Sequence, residues 1–308
     1  MILVCLVDSF NDTFYEKAEW NFSVFKGLPD FISWKVSLAI SLFLIMLAAA
    51  LLYKIDEIHF GIKSKSHQIT GLWVIQIAGF PFLHSLTEVH VAIIFILLSY
   101  DKLFSINNKS NEAGDVFIST MYLGIATIFY SCTAYLLIPH IIAIYRFRYA
   151  TVRDWIVSLA GFLTPFYFSI FISYFVLGDC LYPVKVTLAN LMPHFLSNSL
   201  DLSAIQYVSC AYITFLIIIK GIVISNKSLG GMNQKTMSCN LIFSTMLLFA
   251  TSIFILFGAE GKLMLPVIFI YTTSGIKILF GTIRKKFVAN LLFTIMAIIS
   301  LFAFLYES

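Results

Sequence analysis

Residues Ser33–Tyr53 read SWKVSLAISLFLIMLAAALLY, an apolar run whose one charged residue is a lysine near its start. A helix needs about 20 apolar residues to cross the hydrocarbon core of a bilayer. The stretch therefore predicts a transmembrane helix. Trp155–Leu177 predicts a second span, with Pro165 near its middle.

The composition of the whole chain supports this prediction. Of its 308 residues, 60% are hydrophobic and 12% are charged, whereas a soluble domain has about 45–50% apolar and about 25% charged residues. The mean hydropathy is +0.92. These values exclude a soluble enzyme, a nucleic-acid-binding module and a disordered chain. We expect an all-α, polytopic integral membrane protein, one domain over residues 1–308, with no cofactor, no metal and no nucleic-acid partner.

Two apolar segments, 70–100 and 115–145, have an unusual length of about 30 residues, which is long for one crossing and short for two. The first contains Gly79-Phe80-Pro81, and the second contains Gly124 and Pro139. Proline removes a backbone donor and obstructs the preceding turn of a helix. Each segment is therefore predicted to be one kinked helix or a hairpin of two short helices.

The number of crossings follows from these two alternatives. Further compact spans are expected at 207–225, 236–257, 263–280 and 288–305. The total is eight if the two unusual segments cross once each and ten if both are hairpins. Loops on one side carry thirteen Lys and Arg and those on the other carry five, which places the first side in the cytoplasm. The polar segment 1–32 and the loop 178–203 then face outward.

Three ionisable residues, His84, Glu88 and His90, occur within or beside the first unusual segment. His84 and Glu88 are four residues apart and would share one face of a helix. Ionisable groups at membrane depth are costly and usually face a cavity or a partner, so the cluster could relay protons, contact a lipid headgroup or bind a metal. Alternatively, a helix ends at Pro81 and the three side chains lie in water at the membrane surface. Two further ligands would be needed for a zinc site.

His140 follows Pro139 in the second unusual segment. It could line the same cavity as His84. It could equally form a hydrogen bond with a carbonyl group that the proline leaves without a partner.

A basic and aromatic turn, YRFRYATVRDW, contains Arg146, Arg148 and Arg153. Arginine suits bidentate phosphate recognition, so this turn could bind a phosphate group. The alternative is an ordinary cytoplasmic anchor with interfacial aromatic residues.

Carboxylates in the outer segment 1–32 are the candidates for catalysis. Asp8, Asp12 and Asp30 could act as a general base or hold a cation. An acidic, solvated segment has the same composition, so the sequence leaves open whether the protein is an enzyme.

The stretch Asp115–Phe166 reads DVFISTMYLGIATIFYSCTAYLLIPHIIAIYRFRYATVRDWIVSLAGFLTPF. In hydropathy and spacing it resembles a family of bacterial inner-membrane proteins with many apolar helices and an uncharacterised function. The paired short helices are also similar to those of GT-C-type membrane glycosyltransferases. That second resemblance implies a polyprenyl-phosphate sugar donor and an acidic residue in the first outer loop, for which the positions of Asp8, Asp12 and Asp30 are suitable.

Three hypotheses follow for function. The first is a multi-pass protein of the bacterial inner membrane that is a non-catalytic component of cell-envelope biogenesis. Its partners would be membrane lipid and other proteins of a membrane complex. The second is a GT-C-like glycosyltransferase. The third is a transporter of a small solute or lipid, with a polar site at broken helices.

Overall fold

The computed structural model describes seven continuous parts of the chain, together with isolated helical positions at 211, 214, 215, 218, 294 and 298. The continuous parts are 33–60, 67–80, 83–106, 112–148, 151–191, 234–257 and 263–282. All regular structure in these parts is helical, which confirms the all-α prediction. The described residues form two compact units, and each is described by itself. The expectation of a single domain stays a prediction.

In the parts of the chain that the structure describes, the first unit contains four α-helices. They are α1 (Trp34–Ile55, continued by a π-turn over Asp56–Phe60), α2 (His67–Ala78), α8 (Gln234–Phe257) and α9 (Leu265–Thr282).

The first unit packs α2 against both α1 and α9. After α2 the chain returns to the start of α1, because the backbone N–H of Leu86 donates to Ser37 Oγ at 2.9 Å. The described residues between 67 and 86 therefore run antiparallel to α1. Trp73 Nε1 on α2 donates to the carbonyl of Pro266 on α9 at 3.2 Å. The buried ring of Phe80 then packs 5.5 Å from that of Phe269, so 67–80 and α9 run in the same direction.

Among its described residues, the second unit contains five α-helices and one 3₁₀ helix. They are α3 (Glu88–Ser105), α4 (Glu112–Phe129), the 3₁₀ helix Ser131–Leu136, α5 (Leu137–Arg148), α6 (Val152–Leu177) and α7 (Tyr182–Leu191).

Segment 115–145 is a helical hairpin. Tyr130 has an extended backbone between α4 and the 3₁₀ helix. His140 Nε2 then lies 2.9 Å from Ser119 Oγ, whereas 21 residues of continuous helix would separate them by about 30 Å. Pro139 does not cause the break, because it is the third residue of α5, a first-turn position that tolerates proline. Gly124 does not cause it either, since it lies inside α4.

Segment 70–100 is also divided into two helices. α2 ends at Ala78, directly before Gly79, and α3 begins at Glu88. The N–H of Gly79 donates to the carbonyl of Gln76 at 3.3 Å, which tightens the end of the helix. Both unusual segments are therefore pairs of helices and not single kinked helices.

The stretch 178–203, expected to be a loop, contains α7. Gly178 has a φ of 72°, the left-handed conformation that commonly ends a helix. Pro183 then occupies the second position of α7, where its missing N–H costs no helical hydrogen bond. The prediction of a loop is therefore wrong for Tyr182–Leu191, which is helical, and the outward orientation of this stretch stays a prediction.

Within the described residues, two helical stretches are long and apolar enough to cross a membrane, namely Lys35–His59 and Val152–Phe175. They match the two spans that the sequence marks most clearly. Three apolar helices are shorter, namely Ala113–Phe129, Ser131–Phe147 and Leu241–Phe257. The count of eight to ten crossings stays a prediction.

Candidate functional site

His84 and Glu88 do not share a helix face. α3 begins at Glu88 with Thr87 as its N-cap, and His84 lies in the turn before it. The spacing of four residues was misleading because the helix starts between the two side chains. The carbonyl of His84 accepts a hydrogen bond from the hydroxyl of Ser41. The backbone at His84 therefore holds the returning chain against α1.

The three side chains His84, Glu88 and His90 do not lie in water. They are 4%, 0% and 3% exposed. The interpretation that places them at a hydrated membrane surface is therefore wrong for this structure. Glu88 occupies the first position of α3, where the free N–H groups and the positive end of the helix dipole favour a carboxylate.

His90 acts as a helix cap. Its Nδ1 lies 3.1 Å from the backbone N of Thr87 and 2.7 Å from Thr87 Oγ1. A ring nitrogen that accepts a backbone N–H carries no proton, so the proton of the neutral ring is on Nε2. His90 thus has the position that Glu or Gln usually occupies in a capping box. Its Nδ1 lone pair is already used inside the protein.

His140 belongs to the second unit and is fully buried. Its Nε2 is 2.9 Å from Ser119 Oγ, and its ring stacks on Tyr100 of α3 with centroids 6.2 Å apart. The partner of Nε2 is therefore a hydroxyl and not a backbone carbonyl. Among the described residues its Nδ1 has no hydrogen-bond partner. Because Ser119 Oγ lies 3.2 Å from the carbonyl of Val116, it can donate there and accept from the imidazole.

The four residues predicted as one polar cluster belong to different units. His84 is in the first unit, and Glu88, His90 and His140 are in the second. A single cluster of four therefore stays a prediction. In the described parts of the chain, no three His, Cys, Asp or Glu side chains come together in a group that could hold a metal ion.

The basic turn joins α5 to α6. Arg146 and Arg153 are exposed, and Arg148 is the last residue of α5. Asp154 is only 1% exposed. Its Oδ2 accepts hydrogen bonds from the N–H and the hydroxyl of Thr151, at 2.9 and 2.8 Å, and so caps α6. The carboxylate in this turn is thus a structural cap, and phosphate binding by the three arginines stays a prediction.

The catalytic candidates Asp8, Asp12 and Asp30 lie outside the described residues. The turn after α6 contains one described carboxylate, Asp179. Lys185 Nζ is 3.0 Å from its Oδ2, and the N–H of Leu181 donates to its Oδ1 at 3.0 Å. The Lys185 ammonium, followed by the Leu181 N–H, holds the pKa of Asp179 below its ordinary value. Asp179 is therefore an ionised residue that organises the turn.

Two glycines allow α4 and α6 to pack at backbone distance. A Cβ at Gly124 would overlap the backbone carbonyl of Phe162, and one at Gly161 would overlap the Phe117 carbonyl and the Thr120 hydroxyl. Residue numbers at these contacts increase together along both helices, so α4 and α6 run in the same direction. Helix pairs in membranes commonly use small residues in this way.

Beside this crossing, α4 and α6 separate and leave an open groove of about 280 Å³, here called the α4–α6 groove. Its walls are almost entirely apolar. Two hydroxyls, of Thr164 and Ser169, also line it, and the Thr164 hydroxyl donates to the carbonyl of Ala160 at 2.7 Å. The apolar lining residues are Met121, Ile125, Ile128 and Phe129 of α4, with Pro165 and Phe168 of α6.

Sequence reasoning missed Ser119, Tyr100 and Gln76. Gln76 lies on α2, is 1% exposed, and has no described partner for either amide atom. A lone amide in an apolar helix is a sequence signal that could have marked it. Ser119 and Tyr100 gave no such signal, because their importance depends on how the hairpin folds.

No family model, curated protein or solved structure matches the chain.

Proposed function

We propose that this chain is a multi-pass protein of the bacterial cytoplasmic membrane that serves as a non-catalytic component of cell-envelope biogenesis. The observation that supports membrane insertion is the inverted polarity of α6. The role in envelope biogenesis is based on the resemblance of Asp115–Phe166 to bacterial inner-membrane proteins.

The outer face of α6 is apolar and uncovered. Ten large side chains between Trp155 and Phe175 are each 50–70% exposed; they are Trp155, Ile156, Leu159, Leu163, Tyr167, Phe168, Phe171, Ile172, Tyr174 and Phe175. Full burial of one such side chain contributes about 1.5–3 kcal/mol. For ten half-exposed chains the total is roughly 10 kcal/mol, comparable to the whole stability of a domain. A face of this kind requires a cover.

The inner face of α6 has the opposite character. Its buried residues include Asp154, Ser158, Gly161 and Ser173. Small and polar residues inside with large apolar residues outside are typical of helices in lipid. The 26 residues of α6 extend about 39 Å, which is enough for a hydrocarbon core of about 30 Å. A bilayer would therefore cover the exposed face along its full length.

α1 also has an exposed apolar face. Phe43 and Met46 are 66% and 57% exposed, while the buried face combines Ser37 and Ser41 with apolar residues such as Leu52. Exposed apolar faces on two helices that are long enough to span are the reason we favour a bilayer over a partner that covers α6 alone.

The helix directions support ten crossings. α4 and α6 run in the same direction, so the hairpin between them returns across the membrane. In the first unit, residues 67–86 return along α1, so this half of segment 70–100 is also a crossing. With the basic turn at Arg153 in the cytoplasm, the loop between α3 and α4 is cytoplasmic as well. It adds Lys102 and Lys109 to the side that is already richer in positive charge.

Cysteine accessibility tests this topology. Asn108→Cys is introduced in a background in which the cysteines of both outward-facing segments are replaced, Cys5→Ser and Cys180→Ser. The protein is treated with a membrane-impermeant maleimide in intact spheroplasts. We expect Asn108→Cys to be labelled only after lysis. The native Cys180, exposed in the turn after α6, is the positive control and should be labelled without lysis. Labelling of Asn108→Cys in intact spheroplasts would overturn the ten-crossing arrangement.

Sodium carbonate extraction tests membrane insertion itself. We expect the protein to stay in the membrane pellet at alkaline pH, because the α6 face would otherwise be exposed to water. Release into the supernatant would refute the proposal.

Transport is the second candidate function. Glu88 and His140 are fully buried in one unit, and buried ionisable groups next to broken helices are typical of transport sites.

Complementation of a deletion strain separates the three hypotheses. A non-catalytic component predicts wild-type growth from Glu88→Gln and from Asp8→Asn, Asp12→Asn and Asp30→Asn. A transporter predicts loss of function in Glu88→Gln with normal protein levels. A glycosyltransferase predicts loss in one of the aspartate variants, and either kind of loss would refute the first proposal.

A further inference from the structure

We propose that the α4–α6 groove binds one hydrocarbon chain of a membrane lipid. This inference depends on the proposed membrane insertion. It adds a specific site to it, formed by Met121, Ile125 and Ile128 on α4 and by Pro165 and Phe168 on α6.

The chemistry of the groove selects an apolar occupant. The Thr164 hydroxyl already donates to the Ala160 carbonyl. Proline at 165 has no N–H to offer. A polar ligand would therefore lose its hydration with few hydrogen bonds in return, which is costly. A hydrocarbon chain forms no hydrogen bonds with water, so it loses none when it enters the groove.

The groove is small, with a volume of about 280 Å³, and lies beside a point where the two helices are in backbone contact. A single extended acyl or prenyl chain is much thinner than a helix, whose diameter with side chains is about 10–12 Å. The groove is therefore better matched to a chain than to a whole helix of a partner.

The groove opens on the side of α6 that would face the bilayer, so membrane lipid is the source of the chain. Phe168 lines the groove and is also 58% exposed on the apolar face of α6. The opening is therefore continuous with the surface that the bilayer would cover. A lipid chain can enter sideways from the bilayer without passing through water.

The close contact at Gly124 and Gly161 fixes the approach of the two helices beside the groove. An unfilled apolar cleft loses packing contacts with its walls, so an occupant is expected.

Photo-crosslinking tests the inference. The protein is reconstituted in vesicles of phosphatidylethanolamine and phosphatidylglycerol that contain a phospholipid with a diazirine on its acyl chain. After illumination, mass spectrometry locates the adducts. We expect adducts on the α4 peptide that contains Met121 and Ile125, in addition to adducts on the outer face of α6.

Filling the groove provides the decisive comparison. Ser169→Phe places a ring in the groove, and we expect the α4 adduct to decrease about tenfold, as loss of one or two buried methylene contacts implies. Ser252→Phe is the matched control, because Ser252 is exposed on α8 and its substitution should change nothing on α4. Thr164→Leu is a second filling variant in case Ser169→Phe does not fold.

Each contrary result has a different meaning. An α4 adduct that persists in the filled variants, or that is absent from the wild type while α6 is labelled, overturns the groove and leaves membrane insertion standing. Absence of adducts on both helices overturns membrane insertion as well.

Discussion

Replacing Gly124 by alanine tests the backbone contact between α4 and α6. The new Cβ would overlap the carbonyl oxygen of Phe162 and lie 3.2 Å from the Pro165 ring. Overpacking of this kind costs typically 1–3 kcal/mol, and a backbone obstacle places it at the upper end. Alanine recovers about 1 kcal/mol of helix propensity. The net expectation is a loss of about 2 kcal/mol in the free energy of unfolding.

Gly71→Ala is the matched control for this substitution. Gly71 is also inside a helix, but a Cβ there would meet no atom within 4 Å. We expect this variant to be as stable as the wild type or up to about 1 kcal/mol more stable. Both variants gain the helix propensity of alanine. The difference between their stabilities therefore reports the cost of packing at Gly124.

Thermal unfolding in mild detergent provides the assay. A thiol-reactive probe is added, and mass spectrometry follows the labelling of two buried cysteines. Cys132 reports on the unit of Gly124, and Cys239 on α8 reports on the unit of Gly71. A loss of about 2 kcal/mol should lower the midpoint of labelling by roughly 5–10 °C for a unit of this size. A midpoint for Gly124→Ala that is, relative to the wild type, equal to or above that for Gly71→Ala would contradict the backbone contact.

Three further predictions concern single polar contacts. His90→Ala should lower the stability of α3 by about 1 kcal/mol, because the helix loses its cap. His90→Gln is the control, since its side chain keeps an acceptor for the Thr87 N–H. Amide hydrogen exchange in the first turn of α3 should increase only in the alanine variant. Ser119→Ala should cost about 1–3 kcal/mol, because it leaves His140 Nε2 buried without a partner, and Ser119→Thr should retain most of the stability in a detergent melt. Because the pKa of Asp179 is depressed in the folded protein, its ion pair with Lys185 contributes fully to stability above the unfolded pKa of 3.8. This contribution is lost as the pH falls through the lower folded pKa. An NMR titration should show the pKa of Asp179 rising in Lys185→Gln, and an unchanged pKa would refute the pairing.

Composition predicted the long helices well. The spans expected at Ser33–Tyr53 and Trp155–Leu177 correspond to α1, Trp34–Ile55, and α6, Val152–Leu177. A sustained apolar run of this length has few alternatives to a helix, because every backbone group must be paired within it. The same reasoning marked segments 70–100 and 115–145 as irregular, and both are pairs of helices.

Local signals were less informative about how those segments break. Gly124 looked like a helix disruptor and is instead a packing contact, since its role depends on α6, which lies far away in sequence. Pro139 looked like a kink and is a first-turn residue, because the chain had already reversed at Tyr130. A glycine or proline reports a local preference, and tertiary contacts decide how it is used.

The polar residues show the same limit. The spacing of His84 and Glu88 suggested a shared helix face, but the capping interaction between Thr87 and His90 sets the start of α3 between them. A capping box usually has Glu or Gln at its third position. Because this position holds His90, the start of α3 could not be recognised from the usual sequence pattern. The pairing of His140 with Ser119 could not be predicted, because it requires the direction of α5 relative to α4.

The hairpin of α4 and α5 has a consequence for biosynthesis. A helix that carries His140 enters a bilayer at a cost when it is alone, and the Thr127 and Thr133 hydroxyls, 3.2 Å apart, meet only when the chain has turned back. Neither helix is therefore a good independent substrate for the insertion machinery. In the proposed membrane protein, the nascent chain would leave the translocon as one folded pair, after about 18 residues on each side of Tyr130 have been synthesised. Shortening the chain within α5 should then impair the membrane integration of α4, even though α4 has been synthesised in full.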